Sequence, residues 1–321
     1  MPATRRDLFR LTAGAAGATL LPPRAACADD PPPAAAGFRV VGYLPDYRAF
    51  DPAAARGVTD LVVFSAEPTA AGDLDLSRLR RVRWADLRAF KTRHRVRLVL
   101  CVGGWERSRH FAAVAASDPA RQAFAATAVR VCLAERLDGL DLDWEHPTGR
   151  AEQEGYARLL ADLRAAFAPH GLVLSVTMAA WQGLPRAGFE AADWVNVMAY
   201  DHPGRHSTFE QARADVDRLT AAGAPAAKIT LGIPLYGRSP ARRSDVLTYR
   251  EIVAKHRPAP ADDEAGGLYF NGPATVRRKT EYALGAGLAG VMVWELGQDA
   301  AGADSLVGVI RSAVARRVRK D

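Results

Sequence analysis

The stretch Leu137–Pro147 places three carboxylates, Asp141, Asp143 and Glu145, at two-residue intervals. On a β-strand, residues at i, i+2 and i+4 share one face, in steps of about 6–7 Å. Leu140, Leu142 and Trp144 then take the opposite face. Three acids this close cannot all ionise freely, so protons are shared and at least one pKa rises. A raised carboxyl pKa is what a general acid needs near neutral pH. The plain alternative is an edge strand with a solvated acidic face. Asp is depleted in strands, however, and an edge needs no such cluster. His146, which follows Glu145, has no second ligand at zinc spacing, so neither a metal site nor a cofactor is read.

The elements that position this stretch can be read around it. From Phe38 on, apolar strands alternate with helical patterns, which argues for an α/β fold with parallel strands. The predicted strands are Arg39–Leu44, Asp60–Ser65, Arg97–Val102, Gly139–Asp143, Val173–Met178, Trp194–Ala199, Lys228–Ile233 and Ala289–Trp294. Helical patterns fall at Leu76–Thr92, Pro119–Arg136, Glu152–Phe167, Phe209–Ala222 and Asn271–Gly285, with a closing helix at Asp304–Arg317. Eight such units over about 280 residues match a single-domain (β/α)8 TIM barrel. A doubly wound open sheet is the runner-up, but no Gly-x-Gly-x-x-Gly turn follows the first strand.

In such a barrel the active site lies at the C-terminal ends of the strands. Tyr43, Phe64, Gly104 with Trp105, Glu145, Met178, Met198 with Tyr200 and Asp201, Tyr236 with Arg238, and Trp294 fall at or just after those ends. Core packing explains any one of the aromatics. Their coincidence at eight strand ends argues for a lined cleft.

Three segments are expected. Residues 1–28 read as a twin-arginine export signal: Arg5-Arg6 precedes a weakly apolar run from Leu11 to Leu21, and Ala26-Cys27-Ala28 fits a small-residue cleavage site. An amphipathic N-terminal helix is the other reading of this segment. Lipid anchoring at Cys27 is disfavoured, because Arg24 stands where an apolar residue is wanted. Residues 29–37 are a Pro/Ala-rich spacer, and 38–321 form the barrel. The 321-residue chain carries a net charge of +7, and loss of residues 1–28 removes four arginines and one aspartate, leaving +4. The remaining arginines are scattered and no nucleic-acid motif is present, so at most a weak attraction to anionic polymers follows. No uninterrupted apolar run is long enough for a transmembrane helix. Cys101 and Cys132 fall toward opposite ends of a βα unit, which disfavours a disulfide. A monomer is expected.

Asp138-Gly139-Leu140-Asp141-Leu142-Asp143-Trp144-Glu145 resembles the Asp-Gly-x-Asp-x-Asp-Trp-Glu signature of glycoside hydrolase family 18, the chitinases and their relatives. Cys101-Val102-Gly103-Gly104, Met198-x-Tyr200-Asp201, Gly232–Arg238 and Gly290–Glu295 resemble its third-, sixth-, seventh- and eighth-strand motifs, with Cys101 in the place of a Ser. The resemblance runs from about Phe38 to Gln298. It implies retaining, substrate-assisted hydrolysis of a β-glycosidic bond beside an N-acetylated sugar, the substrate being the expected partner. Glu145 would act as acid and base, Asp143 would hold the acetamide N–H, Asp141 would share a proton with Asp143, and Tyr200 would orient the acetamide oxygen. Trp294 would form the floor under the sugar, Asp201 and Arg238 would meet hydroxyls, and Trp105 would form a wall. The alternatives are a hydrolase of peptidoglycan or an N-glycan core, a lectin-like barrel, and a scaffold. Many family members carry an α+β insertion after the seventh strand. Here His256–Phe270 reads as loop, so the fold is expected without that domain, with a shallow cleft suited to short or soluble oligomers.

Overall fold

The computed structural model describes residues 37–318; the export signal and nearly all of the spacer lie outside them. Eight strands form the barrel: β1 (Arg39–Pro45), β2 (Asp60–Pro68), β3 (Arg97–Gly103), β4 (Gly139–Asp143), β5 (Val173–Met178), β6 (Trp194–Val197), β7 (Ile229–Pro234) and β8 (Gly290–Trp294). Each pairs in parallel with the next, and β8 pairs with β1, which closes the sheet. A two-residue strand, Leu74–Asp75, adds antiparallel to the end of β2. The connections carry helices α1 (Trp84–His94), α2 (Phe111–Ala116), α3 (Asp118–Glu135), α4 (Gly149–Phe167), α5 (Arg186–Ala191), α6 (Phe209–Ala221), α7 (Tyr249–His256) and α8 (Pro273–Gly285), and α9 (Leu306–Val318) follows β8. Strand lengths match the sequence reading within three residues at each end. No helix among the described residues is long and apolar enough to cross a membrane.

Local chemistry explains where the helices start. Ser117 caps α3 by accepting from the Ala120 N–H, with Pro119 in the first turn. Thr208 and Gln211 form a capping box on α6, and Thr248 with Glu251 forms another on α7.

The two-residue period of the strands divides the core into two layers. Leu98, Leu100, Leu140, Leu142, Leu174, Val176, Val291 and Val293 point outward and pack with the helices. Val41, Tyr43, Val62, Phe64, Val99, Cys101, Trp194 and Met292 point inward. At the N-terminal end of the barrel, buried Asp60 pairs with Arg39 at 3.1 Å and with Arg97, and the Arg39 guanidinium lies 4.1 Å from the centroid of the Trp194 ring. This plug gives a buried charge its partners and leaves the opposite end as the mouth. Cys101 and Cys132 are both buried and free.

The segment after β7 is more ordered than the expected loop. Residues 246–248, 236–238, 268–269 and 264–265 form a small antiparallel four-stranded ribbon in that order, with α7 inside the segment. Gly266 and Gly267, at φ 58° and 77°, turn the chain tightly between the last two strands. Two consecutive positive φ angles are what a two-residue hairpin turn requires, and the Gly-Gly pair was its signal. Each strand is only two or three residues long, so this is a ribbon at the barrel rim rather than a separate domain.

Candidate active site

The inward face of β4 carries Asp141 in the barrel interior and Asp143 above it, with Glu145 at the mouth. Asp141 is fully buried and wrapped in donors. Its Oδ2 accepts from Tyr43 at 2.7 Å and Thr177 at 3.0 Å; its Oδ1 accepts from Ser175 at 2.6 Å and the Asn196 amide at 3.2 Å. Asn196 is oriented by its own Oδ1, which accepts from Thr230 at 2.6 Å and Trp194 Nε1 at 3.1 Å. Burial raises the Asp141 pKa, and the hydrogen bonds from Ser175, Tyr43, Thr177 and Cys101 oppose that rise.

Asp143 is in the opposite condition. It is buried, and its Oδ1 has no hydrogen-bond partner among the described residues. Burial, then the charges of Glu145 and Asp141, push its pKa well up. A carboxylate offers about four lone-pair sites, and donors occupy those of Asp141 but not those of Asp143. Of the two, Asp143 is the carboxyl whose charge is left without donors at Oδ1. Asp141 and Asp143 were expected to share a proton; Asp141 is hydrogen-bonded to Tyr43, Ser175, Thr177 and Asn196 and not directly to Asp143.

Glu145 sits at the lip with its side chain 14% exposed. Burial and the negative charge of Asp201 raise its pKa to about 7, against the pull of the Trp105 backbone N–H. Ser108 fixes its backbone by accepting from the Glu145 N–H at 3.0 Å. Asp201 itself stays ionised. Burial would raise its pKa, but the His206 ring 3.6 Å away, the hydrogen bond from Tyr236 and the charge of Arg238 bring it below the ordinary value. Tyr236 donates to Asp201 at 2.6 Å, and Arg238 lies 3.2 Å away. Asp201 and Arg238 were expected as sugar contacts; here they pair with each other, and Asp201 also accepts from Tyr236.

Aromatic residues complete the mouth. Trp294 packs edge-on to Phe64 at 4.9 Å and tilted against Tyr43 at 5.5 Å. Tyr200 and Met198 pack on the same inward cluster, and the Tyr200 hydroxyl points to the Met292 sulfur at 3.8 Å. Trp105 and Trp181 stand out at 69% and 62% exposure. Gly104 has φ 101°, and a Cβ there would come within 2.3 Å of the Phe64 ring. Only glycine allows that approach beside Asp143.

Met178 is the exception among the strand-end residues. It is fully buried with the outward-facing residues, so its side chain meets helices and not the cleft. The reason is strand parity: Ser175 and Thr177 face inward, which turns Met178 out. Sequence reasoning passed over Ser175, Thr177, Asn196 and Met292. The first three carry a signal, since they are polar residues at alternating positions of otherwise apolar strands.

A hollow of about 370 Å³ beside the acid is lined by residues including Glu106, Ser108, Arg109, Glu145, His146 and Glu152. A depression of about 400 Å³ between α6 and the ribbon has none of the inward-facing barrel residues in its walls.

Fold and mouth together define a (β/α)8 barrel with a cluster of carboxyl and aromatic side chains at the C-terminal ends of its strands. Residues 39–299 match the model of the glycosyl hydrolases family 18, and the chain belongs to that family. It is 28% identical over 275 residues to chitinase 1 of Aphanocladium album, covering 68% of this chain and 65% of that one. It is also 28% identical over 288 residues to mouse chitotriosidase-1, covering 67% and 61%. The chain thus spans less than two thirds of the length of these relatives. A crystal structure of the chitinase ChiB of Flavobacterium johnsoniae superposes with a TM-score of 0.74 at 26% identity, covering 87% of this chain and 94% of that one.

Proposed function

We propose that the protein hydrolyses β-linked N-acetylglucosamine oligosaccharides of the chitin type, with retention and with assistance from the substrate's own acetamide group. The observation that carries this is the buried, unpartnered Oδ1 of Asp143 next to a carboxyl that keeps its proton to about pH 7. A buried acceptor without a donor is costly, and an amide N–H is the group that would satisfy it.

The steps follow from the positions. Glu145 gives its proton to the leaving oxygen while the acetamide oxygen attacks the anomeric carbon. Asp143, accepting from the acetamide N–H and passing the proton it shares to Asp141, faces the cation that develops on the ring. Tyr200 is free to donate to the acetamide oxygen, because a thioether sulfur is a weak acceptor. The indole of Trp294, braced by Tyr43 and Phe64, supplies an apolar floor. Glu145, now a carboxylate, takes a proton from water as that water attacks the same carbon. Two displacements at one centre restore the β configuration. A lectin-like reading is less well supported, since all three carboxylates, Tyr200 and Trp294 are present at the mouth.

Digestion of chitooligosaccharides, peptidoglycan fragments and N-glycans, followed by NMR of the first product formed, tests this reading. The β-anomer from a chitooligosaccharide is expected, and an α-anomer would exclude acetamide assistance. The small size of the ribbon supports an open cleft, so intermediate chain lengths should appear early in the digest.

The export reading rests on Arg5-Arg6 and the apolar run behind them. Replacing both with Lys is expected to leave precursor inside the cell, because the pair is read as an address. Normal secretion of the double variant would remove the twin-arginine reading.

A further inference from the structure

His146 is met by three side chains. Its Nδ1 lies 3.0 Å from Gln182 Oε1, its ring lies 4.6 Å from the exposed ring of Trp181, and its Nε2 lies 3.5 Å from Glu145 Oε2. The Gln182 amide has one orientation that fits: its Nε2 donates to the Trp144 carbonyl at 3.2 Å. The reverse orientation would set two carbonyl oxygens against each other. Oε1 of Gln182 is therefore an acceptor, and Nδ1 of His146 must carry a hydrogen. In the neutral ring that leaves Nε2, 3.5 Å from Glu145 Oε2, as a lone pair.

We propose that His146 is a positioning residue that holds the proton of Glu145: Nε2 accepts from the protonated carboxyl, and Gln182 sets the tautomer that makes this possible. A lone pair facing a carboxylate is repulsive, whereas the same lone pair facing a carboxylic acid is a hydrogen-bond acceptor. The contact thus favours the loaded acid. The other charged groups around the pair are Asp143 on the same strand and Asp201 from the β6–α6 connection. Glu106, Arg109 and Glu152 line the adjoining hollow. At 3.5 Å the His146–Glu145 contact is longer than a strong hydrogen bond, and catalytic contacts commonly tighten once substrate is bound.

This inference rests on Glu145 being the acid, and its test is separable from the activity. In the full-length protein labelled with ¹⁵N-histidine, His146 is expected as the Nδ1–H tautomer, assigned by loss of its signals in His146→Phe. An Nε2–H tautomer would overturn the proposal. Titration of Glu145 by ¹³C NMR needs no substrate, and in His146→Phe, which keeps a ring against Trp181, its midpoint should fall by about one pH unit. The descending alkaline limb of kcat/KM should fall with it. An unchanged midpoint, or a rise in KM with no movement of the limb, would reduce His146 to a wall of the cleft. Absence of turnover on every glycan would sink the proposed function and leave the titration result standing. If His146→Phe does not fold, the tautomer of the unaltered protein, assigned from its contact with Trp181, still decides.

Discussion

Glu145→Gln is expected to give a folded protein with turnover lowered by on the order of 10²–10⁴-fold or more, because one group serves as both acid and base. The amide keeps the shape of the side chain and removes only the transferable proton. The pH dependence should carry a second signature. A raised folded-state pKa means that the carboxyl resists ionisation in the native protein while it ionises near the ordinary value of 4.5 when unfolded. Stability is therefore lost as pH rises from about 4.5 to about 7, and below that window both states are protonated. The amide of the variant cannot ionise, so Glu145→Gln should gain melting temperature over the unaltered protein at pH 8 and show little gain at pH 4. A folded variant that keeps more than about a tenth of the rate would show that the proton comes from elsewhere.

Asp143→Asn should have the next largest effect, a loss on the order of 10²–10³-fold in kcat with a comparable fall in kcat/KM. Asn is close in volume, so the buried site should accept it, and circular dichroism should show an unchanged fold. What it lacks is the negative charge that appears when Asp143 gives up the shared proton. That charge is needed only while the ring carries positive charge, and the loss therefore falls on the transition state more than on binding. A rise in KM with kcat preserved would mean that Asp143 only anchors the acetamide group.

The positions of Met178 and Ser175 show where sequence reading succeeds and where it stops. Placing residues at strand ends is a matter of counting, and the strands begin and end close to the expected residues. Choosing the face of a strand needs one fixed point. On β4 the acids supplied it. On β5 the fixed point was the pair of hydroxyls at Ser175 and Thr177, and without it Met178 was assigned to the wrong face. The ribbon after β7 escaped for a different reason: its strands are too short to show a period, and only Gly266-Gly267 marks the turn.

The sequence by itself determined the closed barrel, the shared face of Asp141, Asp143 and Glu145, and the family. These follow from local periods of two and 3.6 residues and from a contiguous motif. Only the tertiary structure decided how the three acids differ. Asp141 is surrounded by donors from β1, β5 and β6, Asp143 keeps a bare oxygen, and Glu145 is raised by burial and then by an aspartate far along the chain, Asp201, which is held ionised by Tyr236 and Arg238. The fate of a proton depends on burial and on charges a few ångströms away through space. In a parallel barrel those neighbours come from strands tens of residues apart, so no local spacing reveals them.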